Sequence, residues 1–174
     1  MATDVIYTHI ESPHGPILLA RNDAGLTHID FQEGEIRVKP KEDWARDDAP
    51  FGEAVGQLQA YFDGQRKSFD LPLAPAGTSF QLEVWRALRD IPYGNTISYG
   101  ALASRIGRPA ASRAVGAANG QNPLAIVVPC HRVVGANGKL TGYAGGIEIK
   151  QALLEHEQRL SGIGQGQLPL AEGL

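Results

Sequence analysis

The chain has 174 residues, 43% of them hydrophobic, with a formal net charge of -3 and a single cysteine. This is enough apolar material for one domain or two small ones, and one cysteine excludes an internal disulfide and any four-cysteine zinc site. No run approaches the roughly 20 apolar residues that cross a bilayer, and the start MATDVIYTHI has no basic-then-apolar signal pattern, so a cytoplasmic chain with no membrane partner is expected.

The runs VIYTHI, PILLAR and GLTHIDF are apolar-rich and separated by the turn clusters at Ser12–Gly15 and Asn22–Gly25, which predicts an antiparallel meander. His9, His14 and His28 fall in it and are expected to be exposed or satisfied polar groups, with no metal. The charged stretch Glu33–Asp48 reads as a loop or irregular helix. Pro50 is placed to open a helix whose Phe51, Val55, Leu58 and Phe62 recur at helical spacing, and Gly64 ends it. SFDLPL is expected to return as a strand, and LPLAPAGTS to link to a second module.

That module begins with Thr78-Ser79-Phe80-Gln81, which has capping-box spacing, and continues with Leu82, Val84, Trp85 and Leu88 on one helix face. After Pro92 and Gly94, SYGALASRIG and AASRAVGAANG flank the break Gly107-Arg108-Pro109, the outline of a helix-turn-helix. In the second of these helices Ala110, Ala111, Ser112, Ala114, Gly116, Ala117 and Ala118 surround one long cation, Arg113. Side chains this small let a partner approach the backbone, either a neighbouring helix or the narrow minor groove of DNA, about 6 Å wide. Charge bears on that choice. A net negative chain is as a whole a poor ligand for phosphates. Yet from Ile91 to Ile147 there is no Asp or Glu, and Arg105, Arg108, Arg113, Arg132 and Lys139 give those 57 residues +5, leaving -8 for the remainder.

Inside this acid-free window Ala125-Ile126-Val127-Val128 has the make-up of a buried strand and leads into Pro129-Cys130-His131-Arg132-Val133. A cysteine beside an apolar strand is commonly inert core, but a neighbouring histidine and cations favour a reactive thiolate. Successive side chains of a strand point to opposite faces, so His131 reaches Cys130 only through a bend, for which Pro129 is suited, or a bridging water. A base of this kind needs a third group to orient it, and the last predicted helix offers Glu148, Glu155 and Glu157, among which spacing does not choose.

The string IPYGNTISYGALASRIGRPAASRAVGAANGQNPLAIVVPCHRVVGANGKLTGYAGG and the following KQALLEHE resemble the O6-alkylguanine-DNA alkyltransferase family over roughly residues 78–160. The resemblance implies an α/β (α+β) chain in three parts. Residues 1–75 would be a ribonuclease-H-like domain of small antiparallel sheet and helix. Residues 76–162 would be a helical, winged helix-turn-helix-like domain carrying the cysteine, and residues 163–174 a flexible tail.

It implies a monomer, without cofactor, that acts once on double-stranded DNA containing O6-alkylguanine. Cys130 would be the alkyl acceptor, His131 the water-mediated base, Glu157 its carboxylate partner and Tyr99 a proton donor that helps rotate the nucleotide out. Arg113 would fill the vacated stack, with Ala114 and Gly116 beside it at the DNA, and Asn122 would hold the turn before Cys130, a role compatible with the Asx turn that Asn122-Pro123 equally suggests. Tyr143, Ala144 and Gly145 would wall the substrate pocket with Val133, and Lys150 would lie near it, although a solvated first-turn lysine accounts for that position as well. A non-catalytic lesion binder of the same fold and a turning-over cysteine hydrolase are the rival functions.

Overall fold

The computed structural model describes residues 4–34 and 37–162; the tail expected at 163–174 lies outside the described residues. The three N-terminal runs form β1 (Ile6–Ile10), β2 (Ile17–Arg21) and β3 (Leu26–Phe31), paired antiparallel in sequence. The sheet is nevertheless mixed. Within the charged stretch, expected to be loop or irregular helix, the two-residue strand β4 (Ala45–Arg46) pairs parallel to β1, giving the order β3-β2-β1-β4. Two exposed residues in a polar run carry no hydrophobic alternation, so nothing in the sequence marks this strand. Ile17, Leu18, Leu19 and Ala20 of β2 are all buried, as befits a strand covered on both faces.

Pro50 lies in a short 3-10 turn (Ala49–Phe51) that leads into α1 (Gly52–Phe62), which buries Ala54, Leu58 and Tyr61 with Phe51 beside them. SFDLPL does not form the expected strand. Gln57 clamps Asp70 through both its backbone groups, and Pro72 has no N–H to give, so only an isolated bridge from Leu73 to Leu26 forms.

Helix α2 (Ser79–Leu88) opens on the capping box: Thr78 Oγ1 accepts from the Gln81 N–H at 3.1 Å and the Gln81 side chain accepts from the Thr78 N–H at 2.9 Å. Val84, Trp85 and Leu88 face the core. β5 (Ile97–Ser98) precedes α3 (Tyr99–Arg105), and a turn with Gly107 in the left-handed region leads to α4 (Ser112–Gly120), giving the expected helix pair. β6 (Val133–Val134) pairs parallel with β5, and α5 (Ile147–Ser161) closes the described chain.

Residues 125–128 are not a strand. The Ile29 N–H donates to Pro123 O at 2.8 Å and the Ala125 N–H to Ile29 O at 3.1 Å, so the segment touches the outer edge of β3 at one place and then turns. Ile126 turns it with φ +72, a conformation costing a β-branched residue about 1–3 kcal/mol. The apolar composition reports burial, and burial does not require extension: Ile126, Val127 and Val128 all enter the core from a turn. Together with residues 72–74, this segment covers the edge of β3 and fastens the sheet to the cysteine-bearing turn.

Candidate active site and nucleic-acid interface

Cys130, His131 and Arg132 form a 3-10 turn entered through Pro129, in place of the extended strand expected there. In such a turn neighbouring side chains diverge by about a third of a circle rather than to opposite faces. Cys130 is 5% exposed and His131 is fully buried. Asn122 holds the approach to the turn. Its side-chain amide donates to Val128 O at 2.8 Å and its Oδ1 accepts from the Leu124 N–H at 2.9 Å, so the Asx turn and the tie to the cysteine segment coexist. Asn119, from the buried face of α4, donates to Cys130 O at 3.4 Å.

Of the three candidate carboxylates on α5, Glu148 and Glu155 are exposed and Glu155 is engaged by Gln151, whereas Glu157 is fully buried. Glu157 Oε2 receives the Tyr61 hydroxyl at 2.6 Å, His131 Nε2 at 2.7 Å and Arg132 Nη2 at 3.1 Å; Oε1 receives Arg132 Nε at 2.8 Å and the Gly94 N–H at 3.3 Å. Burial works against its ionisation, but His131 and Arg132 outweigh that and hold the carboxyl well below the usual range. An ionised carboxylate only accepts, so His131 carries its proton on Nε2. The other ring nitrogen, Nδ1, is buried without a protein hydrogen-bond partner and keeps its lone pair. Burial, only partly offset by Glu157, pushes the imidazole below its ordinary value, so it rests neutral.

Burial also pushes the Cys130 thiol up, against the opposing pull of Asn122 and Lys150. The thiol therefore rests protonated beside a neutral base. Lys150 is fully buried, which overturns the solvated alternative: its Nζ donates to Thr141 O at 2.7 Å, and burial, partly offset by Cys130, lowers it to about 8. Thr141 Oγ1 lies 3.0 Å from the Tyr99 hydroxyl, and burial of Tyr99 raises its pKa. Val133 is buried in β6 directly after the turn.

Tyr143 is buried with its ring against Phe31 of β3, its hydroxyl has no hydrogen-bond partner, and burial holds it well above the ordinary phenol value. Gly145 and Gly34 are there for close approach. A Cβ on Gly145 would stand 2.8 Å from the Tyr143 ring, and one on Gly34 2.7 Å from both Ala144 O and Gly145 Cα. The sheet thus props the loop that carries Tyr143, Ala144 and Gly145.

The small-residue helix α4 divides by face. Val115, Ala118 and Asn119 are buried, Trp85 Nε1 donates to Ala118 O at 2.8 Å, and Gly116 lies against the Tyr99 ring; Arg113, Ala114 and Ala117 are exposed. Packing inside the protein therefore accounts for Gly116 and Ala118 but not for Ala114 and Ala117. Of the five cations in the acid-free window, Arg132 is withdrawn from any basic surface by its buried pairing with Glu157, and Arg108 pairs with Glu83 at 3.1 Å.

Residues 5–75 match the family model of the 6-O-methylguanine DNA methyltransferase ribonuclease-like domain, and residues 79–159 that of its DNA-binding domain. The chain belongs to the 6-O-methylguanine DNA methyltransferase family. It is 56% identical over 151 residues to the methylated-DNA--protein-cysteine methyltransferase of Methanosarcina acetivorans, covering 87% of this chain and 97% of that protein. It is 53% identical over 152 residues to the protein of the same name from Mycobacterium tuberculosis, covering 87% and 92%. The crystal structure of Mycobacterium tuberculosis OGT in complex with DNA superposes with a TM-score of 0.83 at 52% identity, covering 89% of this chain and 94% of that one. The O6-methylguanine-DNA methyltransferase of Pyrococcus kodakaraensis KOD1 superposes at 0.59 with 26% identity, covering 88% and 98%.

Four residues of the site escaped the sequence: Tyr61, Asn119, Arg132 and Thr141. Arg132 stands in the PCHRV string and contributes to the charge of the acid-free window, and its position next to His131 is the one signal of its place in the site. Tyr61, 96 positions before Glu157, had none. Among the described residues no group of three or more His, Cys, Asp or Glu is placed to hold a metal, and no helix is long and apolar enough to cross a membrane.

Proposed function

We propose that this chain repairs duplex DNA by direct reversal, taking a methyl or other alkyl group from O6 of guanine onto Cys130 in a single, irreversible event. The observation that carries the proposal is the buried relay: a cysteine and a histidine on one turn, the histidine fixed by Glu157 through Nε2 and left with a free Nδ1. It supports the reading because a buried, protonated thiol needs a base at the moment of attack, and Nδ1 is a base with no other engagement. In this reading residues 1–75 form the ribonuclease-H-like part and 76–162 the part that meets DNA. The protein works in the cytoplasm as a monomer.

Exposed α4 enters the minor groove, where Ala114 and Gly116 let the backbone come close and Arg113 takes the place of the nucleotide turned out of the stack. Turning it out is required because the reacting atoms lie inside the duplex. The base is enclosed by Tyr143, Ala144, Gly145 and Val133. The Cys130 proton passes through a water to His131 Nδ1, and Glu157 stabilises the imidazolium. Lys150 stabilises the developing thiolate.

The sulfur attacks the alkyl carbon, a C–S bond forms and the bond to O6 breaks. The electron pair leaves with guanine, to which Tyr99 supplies a proton. The product is a thioether, which has no polarised centre for water to attack, so the protein does not turn over. Cys130 itself tells against a binder without chemistry. Intact-protein mass spectrometry after incubation with an O6-methylguanine oligonucleotide tests the proposal. A gain of one methyl group on Cys130, stoichiometric and final, is expected; no gain on Cys130 overturns it.

A further inference from the structure

The mechanism above uses Glu157 as the partner of His131, but His131 is not the only claimant on the oxygen it binds. We propose that Tyr61 is a positioning residue for the alkyl transfer: reaching from the N-terminal half, its hydroxyl shares Glu157 Oε2 with His131 Nε2 and thereby sets how basic the His131 relay is. This rests on the alkyl-transfer reading of the Cys130 turn.

The geometry is specific. The Tyr61 hydroxyl donates to Oε2 at 2.6 Å and His131 Nε2 meets the same atom at 2.7 Å, 96 and 26 positions away in sequence, and Tyr61 and Glu157 are both fully buried. The ring cannot drift. It packs edge-on to Phe62 and Tyr93, lies 5.7 Å from Phe69 and 5.3 Å from His156, and the His156 ring meets Tyr61 O at 2.9 Å. Burial and the Glu157 charge hold the phenol well above its ordinary value, so it remains a donor throughout the working range of pH.

A carboxylate oxygen that already accepts a short phenol hydrogen bond has less charge to offer a second donor. With the hydroxyl in place the imidazolium gains less from Glu157. With the hydroxyl removed, more of that charge falls to His131 and its pKa rises. The other groups facing this pair are Arg132 on the turn, Tyr93 on the loop before β5, Lys150 and His156 on α5 and Tyr143 in the pocket wall, with Arg159 of α5 acting on Tyr93. All six stay in place in a Tyr61→Phe variant, which keeps the ring packing and deletes one oxygen. Tyr61 is also the one group through which α1 reaches this carboxylate by a hydrogen bond among those described.

The test is the rate of methyl transfer to the full chain from an O6-methylguanine oligonucleotide, followed by intact mass across the pH range and compared between wild type and Tyr61→Phe. Transfer needs neutral His131, so the rate rises with pH through the His131 pKa. The expected result is that this limb moves to higher pH by roughly half a unit in Tyr61→Phe, with a plateau no lower than wild type. Replacing Tyr61 by 3-fluorotyrosine, isosteric and a stronger donor, is expected to move the limb the opposite way, and it covers the case in which Tyr61→Phe does not fold. If both limbs stay in place, whatever happens to the denaturation midpoint, Tyr61 is only a packing residue and the inference is overturned. If wild type itself gains no methyl group at any pH, the alkyl-transfer reading has failed instead.

Discussion

The turn at Cys130–Arg132 and the helix α4 lie within 20 residues of each other, yet they are built on opposite principles. In the first, charge is buried and paired: Glu157 takes five donors, and Cys130, His131 and Glu157 are all buried. In the second, the surface is nearly bare, with Arg113, Ala114 and Ala117 exposed and the anchoring done by Val115, Ala118 and Asn119 on the other face. On the function proposed above, the difference follows from what each must do. Proton transfer needs groups whose geometry and pKa values are fixed before substrate arrives, which a packed interior provides. Entry into a groove needs the absence of side chains, which only an exposed helix can offer. Changes in the first region should therefore cost stability and chemistry together, and changes in the second should cost neither until duplex DNA is present.

The largest expected effect is at the nucleophile. Cys130→Ser should abolish alkyl transfer, because a hydroxyl is a far poorer nucleophile near neutral pH, while duplex affinity measured by fluorescence anisotropy stays at the wild-type value. A variant that still transfers methyl at a comparable rate would remove Cys130 from the mechanism.

Next is Glu157→Gln, which strips the countercharge from Arg132 and the acceptor from His131. Removing one partner of a buried pair costs about 3–5 kcal/mol, to be read from urea denaturation at neutral pH. Transfer should slow by about a hundredfold or more, the scale of a lost general base. The pH dependence has a definite sign. The folded carboxyl lies below its unfolded value of 4.5, so its contribution is fully present above that pH and lost as pH falls. The gap in stability between wild type and Glu157→Gln should accordingly narrow as pH falls below about 4.5.

Arg113→Ala belongs to the other region. It should lower the rate on duplex by about tenfold to a hundredfold, since turning out a nucleotide costs a few kcal/mol, and leave the rate on free O6-alkylguanine base unchanged. The ratio of the two rates is the measurement, with stability expected within about 0.5 kcal/mol of wild type. Equal losses on both substrates would make Arg113 a support of the pocket. Smallest is Ala114→Glu, which adds bulk and negative charge at the exposed face. A loss of duplex affinity of about tenfold or less is expected, steeper at low salt, with free-base transfer and stability untouched. An unchanged duplex affinity would return this surface to a plain solvent face.

Much of this was legible in the chain itself, because it is carried by local patterns. The capping box at Thr78–Gln81, the helix pair broken at Gly107, the terminal helix and the three N-terminal strands all rest on spacing or on backbone preferences that act within a few residues. The PCHRV string singled out Cys130 and His131 by the chemistry of neighbours in sequence. What spacing could not supply was which long-range partner each group meets. Glu148, Glu155 and Glu157 look alike along α5, and only the packing of the helix buries the last of them against His131 and Arg132. Lys150 and Arg132 carry charges that composition assigns to the surface, and only a tertiary partner, Thr141 O in one case and Glu157 in the other, makes their burial tolerable. The AIVV run recorded burial and not shape, since the φ of Ile126 is imposed by the edge of β3 on one side and the core on the other. Sequence alone determined the main helices, the three N-terminal strands and the choice of Cys130, whose causes are local. The relay was decided by tertiary structure, because a buried charge is stabilised only by groups that folding brings to it from elsewhere in the chain.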